Sequence, residues 1–230
     1  MSVPRDYLVE PGLILHAYNR AVNKGLLFRD AEFYGMFLQK LREAQEKAPV
    51  SIIAHTLMPT HFHMILQQYE PSAISTFMQH ACSAFSHWTH RRLKTTGPLY
   101  DSPYGGTPVP SVEAFLRILF YVLVNPVKAG LVSAPEDWIY SSCKSLLTGL
   151  EGKLEDYSLI FKLVGGPERL AYFLENYKGT EPMPMEEYLC PEYFKIWEDR
   201  TSGEFLRYEQ KRRKAGRLRI NRKGPKRMPS

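Results

Sequence analysis

At 230 residues, 44% hydrophobic and 23% charged, the chain has the make-up of a globular protein large enough to bury a core and carry an appendage. No apolar run approaches the ~18 residues of a membrane span, Ile118 to Val124 being the longest tempting stretch. Three scattered cysteines, Cys82, Cys143 and Cys190, make neither a disulfide framework nor a zinc site, so a reducing cytoplasm and no membrane are expected; the net charge of +6 comes from a dense basic C-terminal stretch, the usual footprint of a polyanion partner.

The opening residues, Met1 to Asp6, lack the charged-then-apolar order of a secretion signal. Leu13 to Asn19 reads as a strand, with Ile14, His16 and Tyr18 alternating against Leu13, Leu15 and Ala17. Asp30 has the character of an N-cap, and Phe33, Met36, Phe37, Leu41 and Ala44 form a helical stripe that must end by Pro49. Val50 to Leu57 and His61 to Gln67 read as a hairpin around Met58-Pro59-Thr60. From Ser72 a second stripe runs through Ile74, Phe77, Met78, Ala81, Phe85 and Trp88, closing on Arg91, Arg92 and Lys94, cations suited to a helix C-terminus. Tyr104 to Val109 is a weaker strand diluted by Gly105, Gly106 and Pro108. A third helix is expected from Ser111 to Val124, with Pro126 stopping it.

The order β-α-β-β-α-β plus a helix predicts an α+β, ferredoxin-like or RRM-like split β-α-β fold, an antiparallel sheet with its helices on one face. Residues 8–147 are expected to form this domain. Residues 148–206 form an acidic, mainly helical extension, with helices over Tyr157 to Val164 and Arg169 to Tyr177 and a linker at Thr180 to Pro184. Residues 207–230 hold 11 Lys/Arg against the single Glu209 and too few apolar residues for a core, so a disordered basic tail is expected. Solubility alone is the plain alternative for that tail.

Two short patterns bear on chemistry. In His61-Phe62-His63 the imidazoles share one face of a strand while Phe62 turns to the packed side. They suit either a shared divalent cation or two ordinary hydrogen-bonded histidines. Tyr121 and Asn125 stand at i and i+4 on the third helix, either a site or a core pair. His80, His87 and His90 fit a solvated or nucleic-acid-facing side of the second helix; His55, across the hairpin, is a candidate to support the histidine pair, and His16 has no assigned role.

Together these pieces resemble a known family. Leu57 to Leu66, reading LMPTHFHMIL, resembles the histidine signature of HUH single-tyrosine transposases, and Tyr121 to Val132, reading YVLVNPVKAGLV, resembles the tyrosine motif of their REP-associated branch. Asn19-Arg20 with Leu27 to Asp30, and Trp138 to Ser142, resemble that family's first strand and its closing segment, so the likeness spans about residues 12–145. It implies that His61, His63 and Asn125 ligate Mg²⁺ or Mn²⁺, and that Tyr121 is the nucleophile. The implied reaction is endonuclease and strand-transfer chemistry on single-stranded DNA near hairpins, through a 5′-phosphotyrosine. Candidate DNA contacts are Arg20, Arg91, Arg92, Lys94, Lys128, Lys211, Arg212, Arg213 and Lys214. A homodimer and a monomer are both known states in the family.

The sequence departs from the family at two places. Thr60 replaces the usual Asn of the histidine motif, and Pro103 and Gly105 stand where the family carries Arg and Lys, which removes two cations from that strand. Two other functions compete with DNA strand transfer: a domesticated module that binds hairpin DNA without cutting it, and a metal-dependent hydrolase that uses water. A covalent protein–DNA adduct separates strand transfer from both.

Overall fold

The computed structural model describes residues 10–150 and 154–177. Its elements are strand β1 (Ile14–Arg20), helix α1 (Ala31–Gln45), strands β2 (Val50–Met58) and β3 (His61–Gln68), helix α2 (Ala73–Leu93), strand β4 (Gly105–Pro108) and helices α3 (Val112–Lys128), α4 (Cys143–Thr148), α5 (Ser158–Val164) and α6 (Pro167–Asn176). The strands form one antiparallel sheet in the order β2-β3-β1-β4, with β3 inserted between β1 and β2. This is the split β-α-β arrangement expected from the element order.

Helices α1 and α2 pack on one face, over Leu15, Ala17, Leu57, Phe62, Met64 and Leu66. The start signal of α1 works as read. The Asp30 carboxylate accepts from the Glu32 and Phe33 amides at 2.9 and 3.4 Å, capping α1. Phe62 lies within 5.0 Å of Phe37, ring centre to ring centre, and Phe37 lies 5.0 Å from Phe85. That aromatic stack ties β3 to both helices. Because side chains alternate along a strand, burying Phe62 there turns His61 and His63 to the opposite face.

The opposite face is covered by α3 and the helices after it. Ile14, Ile53, Ala54 and Ile65 meet Phe115, Leu116, Leu119, Leu123, Tyr157 and Ile160 in a second buried cluster. A β-bulge between Ile52 and Ala54 inserts the extra residue that lets both Ile53 and Ala54 serve this cluster. Strand β2 is an edge strand yet buried along its whole length. The closing segment shields it: the Leu57 amide donates to Tyr140 O (2.9 Å), the Ser142 amide to His55 O (3.0 Å) and the Asp156 amide to Ile52 O (3.0 Å). An edge so covered offers no ladder to another chain.

Three sequence expectations change. Helix α3 runs on to Lys128, with Pro126 inside it, instead of ending at Val124. A proline there cannot donate to Val122 O; the Thr56 hydroxyl lies 2.8 Å from that carbonyl and supplies the missing partner. His55 pairs with Met64 in the β2–β3 register and so lies on the α1–α2 face, where Nδ1 sits 3.0 Å from Glu155 Oε1. It does not support the histidine pair. The weak strand is shorter than read, Gly105–Pro108.

The helices expected after residue 150 are α5 and α6, split at Gly165-Gly166, and their Ile160, Leu163, Leu170 and Phe173 join the second cluster. The linker at Thr180 to Pro184 and the basic tail lie outside the described residues. Among the described residues no helix is long and apolar enough to cross a membrane.

Candidate functional site

The face that β1 and β3 turn away from the aromatic core carries His16, Tyr18, His61 and His63, and α3 lays Tyr121 across it. His63 is the hub. Its ring centre is 5.1 Å from His61, 5.1 Å from His16, 5.2 Å from Tyr121 and 6.1 Å from Tyr18. Tyr121 meets both His63 and His16 edge-on and remains 38% exposed, while His63 is only 8% exposed. The phenol thus sits at the mouth of a site whose imidazoles form the floor. Asn125 stands one turn further along the same face of α3 and is buried.

Each paired histidine is held through one ring nitrogen. Thr60 Oγ1 lies 2.9 Å from His61 Nδ1, and His16 Nε2 lies 3.0 Å from His63 Nδ1. Thr60, at the place where the resembled motif has Asn, bonds the ring beside it. Burial holds the His63 pKa down at about 3, with His16 and His61 adding to the effect, and burial brings His16 to about 4. His61 is lowered as well, by burial first and by the Arg20 charge second. These rings are neutral at pH 7, the form in which imidazole ligates metals.

Among the described residues no three or more His, Cys, Asp or Glu stand together as a metal-holding group. Two imidazoles with Nδ1 engaged, His61 and His63, lie on this face, and Asn125 follows Tyr121 by one turn of α3. Imidazole nitrogens and an amide oxygen are ligand types that would suit a divalent cation.

The expected cations fall into three groups. Arg20 pairs with His61 across the β1–β3 ladder and lies 3.5 Å from Asp101, and Lys128 Nζ stands 5.8 Å from the Tyr121 ring centre and 5.7 Å from that of Tyr177. These two flank the site. Arg91, Arg92 and Lys94 close α2, the helix of the other face, and Arg92 is bound to Glu32 at 3.0 Å. Lys211, Arg212, Arg213 and Lys214 lie outside the described residues. His80 and His87 are exposed on α2, and His90 bonds Thr95 at 3.2 Å, in keeping with a solvated side.

Sequence reading left out His16, which belongs to the site. Its alternation with Leu15 and Ala17 already gave the face; the β1–β3 register that sets it diagonally beside His63 was the missing step. The structure also gives a reason for Gly105. A Cβ there would lie 2.4 Å from the Tyr18 ring, so Tyr18 occupies the space in which a side chain at 105 would rise.

The fold and this face define a class: a split β-α-β antiparallel sheet with a tyrosine-bearing helix laid over paired histidines. No protein-family model matches the chain, and a search of curated proteins returns no match. Among solved structures the fold is similar to that of a REP-associated tyrosine transposase bound to a REP hairpin, with a TM-score of 0.56 and 21% identity, covering 69% of this chain and 96% of that one.

Proposed function

We propose that this chain is a metal-dependent tyrosine DNA strand transferase that cleaves and rejoins single-stranded DNA near hairpins, with Tyr121 as the nucleophile. One observation carries the reading: the exposed Tyr121 phenol stands edge-on to His63, whose ring is next to that of His61. The fold it shares with a transposase solved on a hairpin supports the substrate class. His61, His63 and Asn125 would hold Mg²⁺ or Mn²⁺, which when bound neutralises phosphate charge and polarises the phosphoryl oxygens.

The chain's own part is positional. Tyr121 Oη attacks the scissile phosphorus, the Tyr121 O–P bond forms and the P–O3′ bond breaks. The phenol proton leaves through solvent, and the departing 3′ oxygen takes up a proton from it. Bond energy is kept in the phosphotyrosine, so a second 3′-hydroxyl reverses the step and rejoins the strand. Arg20 and Lys128, beside His61 and Tyr121, hold the phosphates on either side.

The loss of two cations at Pro103 and Gly105, with Tyr18 over Gly105, favours as the second reading a module that binds hairpins without cutting. Incubating the protein with hairpin-bearing single strands and Mn²⁺ separates the two. An SDS-stable protein–DNA adduct on the Tyr121 peptide is expected. Tight hairpin binding with no adduct would leave the binding module, and cutting with no adduct would leave a hydrolase.

A further inference from the structure

We infer that His16 is a positioning residue that fixes the tautomer of His63, accepting a hydrogen bond from His63 Nδ1 so that Nε2 keeps its lone pair for a divalent cation. The inference rests on the metal-using reading above. A neutral imidazole carries one N–H and one bare nitrogen. Two such rings, with His16 Nε2 and His63 Nδ1 3.0 Å apart, share one proton between those atoms. If His63 donates, its Nε2 is bare and can ligate. In the reverse case the proton of His63 sits on Nε2, its lone pair faces His16, and the ring cannot ligate through Nε2.

The surroundings make His16 a fixed partner. It lies in the middle of β1, paired with Ile65 of β3 on one side and Thr107 of β4 on the other, so its backbone is held by two ladders. Its ring lies edge to edge with that of His63, the planes 25° apart, and meets Tyr121 edge-on with ring centres 6.1 Å apart. An apolar residue of similar size would fill the same space without accepting the proton. His61 is treated alike, with Thr60 Oγ1 2.9 Å from its Nδ1. Both rings are thus bonded at Nδ1, the arrangement in which outer hydrogen bonds orient metal-binding histidines.

Two measurements on the full chain test the inference. In metal-free ¹⁵N-labelled protein, two-bond ¹H–¹⁵N spectra should show His63 as the Nδ1–H tautomer; the Nε2–H form overturns the inference without any substitution. Mn²⁺ affinity, followed by electron paramagnetic resonance, should then fall about 10- to 100-fold in His16→Leu, and should stay within about threefold in His16→Gln, whose Oε1 can accept the same proton. Wild-type affinity in a folded His16→Leu protein overturns the inference. Absence of Mn²⁺ binding by the unsubstituted chain overturns the metal reading instead, and the His63 tautomer still decides whether His16 holds the ring.

Discussion

Tyr121 is 38% exposed on a helix whose Phe120, Val122 and Leu123 do the burying. Tyr121→Phe keeps the ring that touches His63 and His16. Stability should stay within about 0.5 kcal/mol of the parent by thermal unfolding, as for surface changes generally, while the DNA adduct disappears. An adduct that survives in Tyr121→Phe would move the nucleophile to another tyrosine. Gly105 illustrates a residue whose identity a neighbour dictates. Its missing side chain leaves room for Tyr18, so Gly105→Ala should push the Tyr18 ring off β4 and cost about 1 kcal/mol. In a Tyr18→Ala background the same change should cost almost nothing. Equal penalties in both backgrounds would remove Tyr18 as the cause.

At the scale of the element, α3 presents a helix that carries a proline through its last turn and still keeps Tyr121 and Asn125 on one face. The Thr56 hydroxyl on β2 makes this workable, 2.8 Å from Val122 O and 3.1 Å from Ser141 Oγ. Thr56→Val leaves Val122 O buried without its partner, which should cost about 1–3 kcal/mol in chemical denaturation. Pro126→Ala restores an amide that can donate to Val122 O. The Thr56→Val penalty should therefore shrink in the Pro126→Ala background, and full additivity of the two changes would refute the link between them. The same hydroxyl network ties α3 to Ser141 and so to the segment that covers β2.

For the whole molecule, two charge arrangements matter, one inside the described residues and one beyond them. Burial by itself would raise the Glu155 carboxyl, but the His55 imidazole 3.0 Å away, with Arg42 further off, brings it below its usual 4.5. A folded-state pKa below the unfolded one contributes stability that is present above pH 4.5 and is lost as pH falls through the lower folded value. The melting temperature should thus drop more steeply below pH 4.5 in the parent than in Glu155→Gln; parallel pH profiles would sink the assignment. The basic residues 207–230 are proposed as a DNA anchor. If about half of their cations meet phosphates of single-stranded DNA, truncation after Phe205 should reduce the slope of log K against log[salt] by ~4 units, at ~0.7 per contact. An unchanged slope would assign the DNA path to the residues before 206 alone.

The sequence alone carried whatever is local and periodic. Alternation in His61-Phe62-His63 fixed which side chains share a face, the stripes of α1 and α2, with the Asp30 cap and the closing cations Arg91 and Arg92, marked the helices, and the element order implied the split sheet. Those features depend on dihedral period and on neighbours three or four residues away, which a sequence displays directly. What tertiary structure decided involves partners distant in sequence. His16 meets His63 across 47 residues, Thr56 rescues the Val122 carbonyl across 66, and His55 leaves the site for Glu155 because the β2–β3 register sets it beside Met64. Register and hydrogen bonds between residues distant in sequence are properties of the packed sheet, where one unsatisfied buried group or a one-residue slip changes the outcome, and no local pattern encodes them.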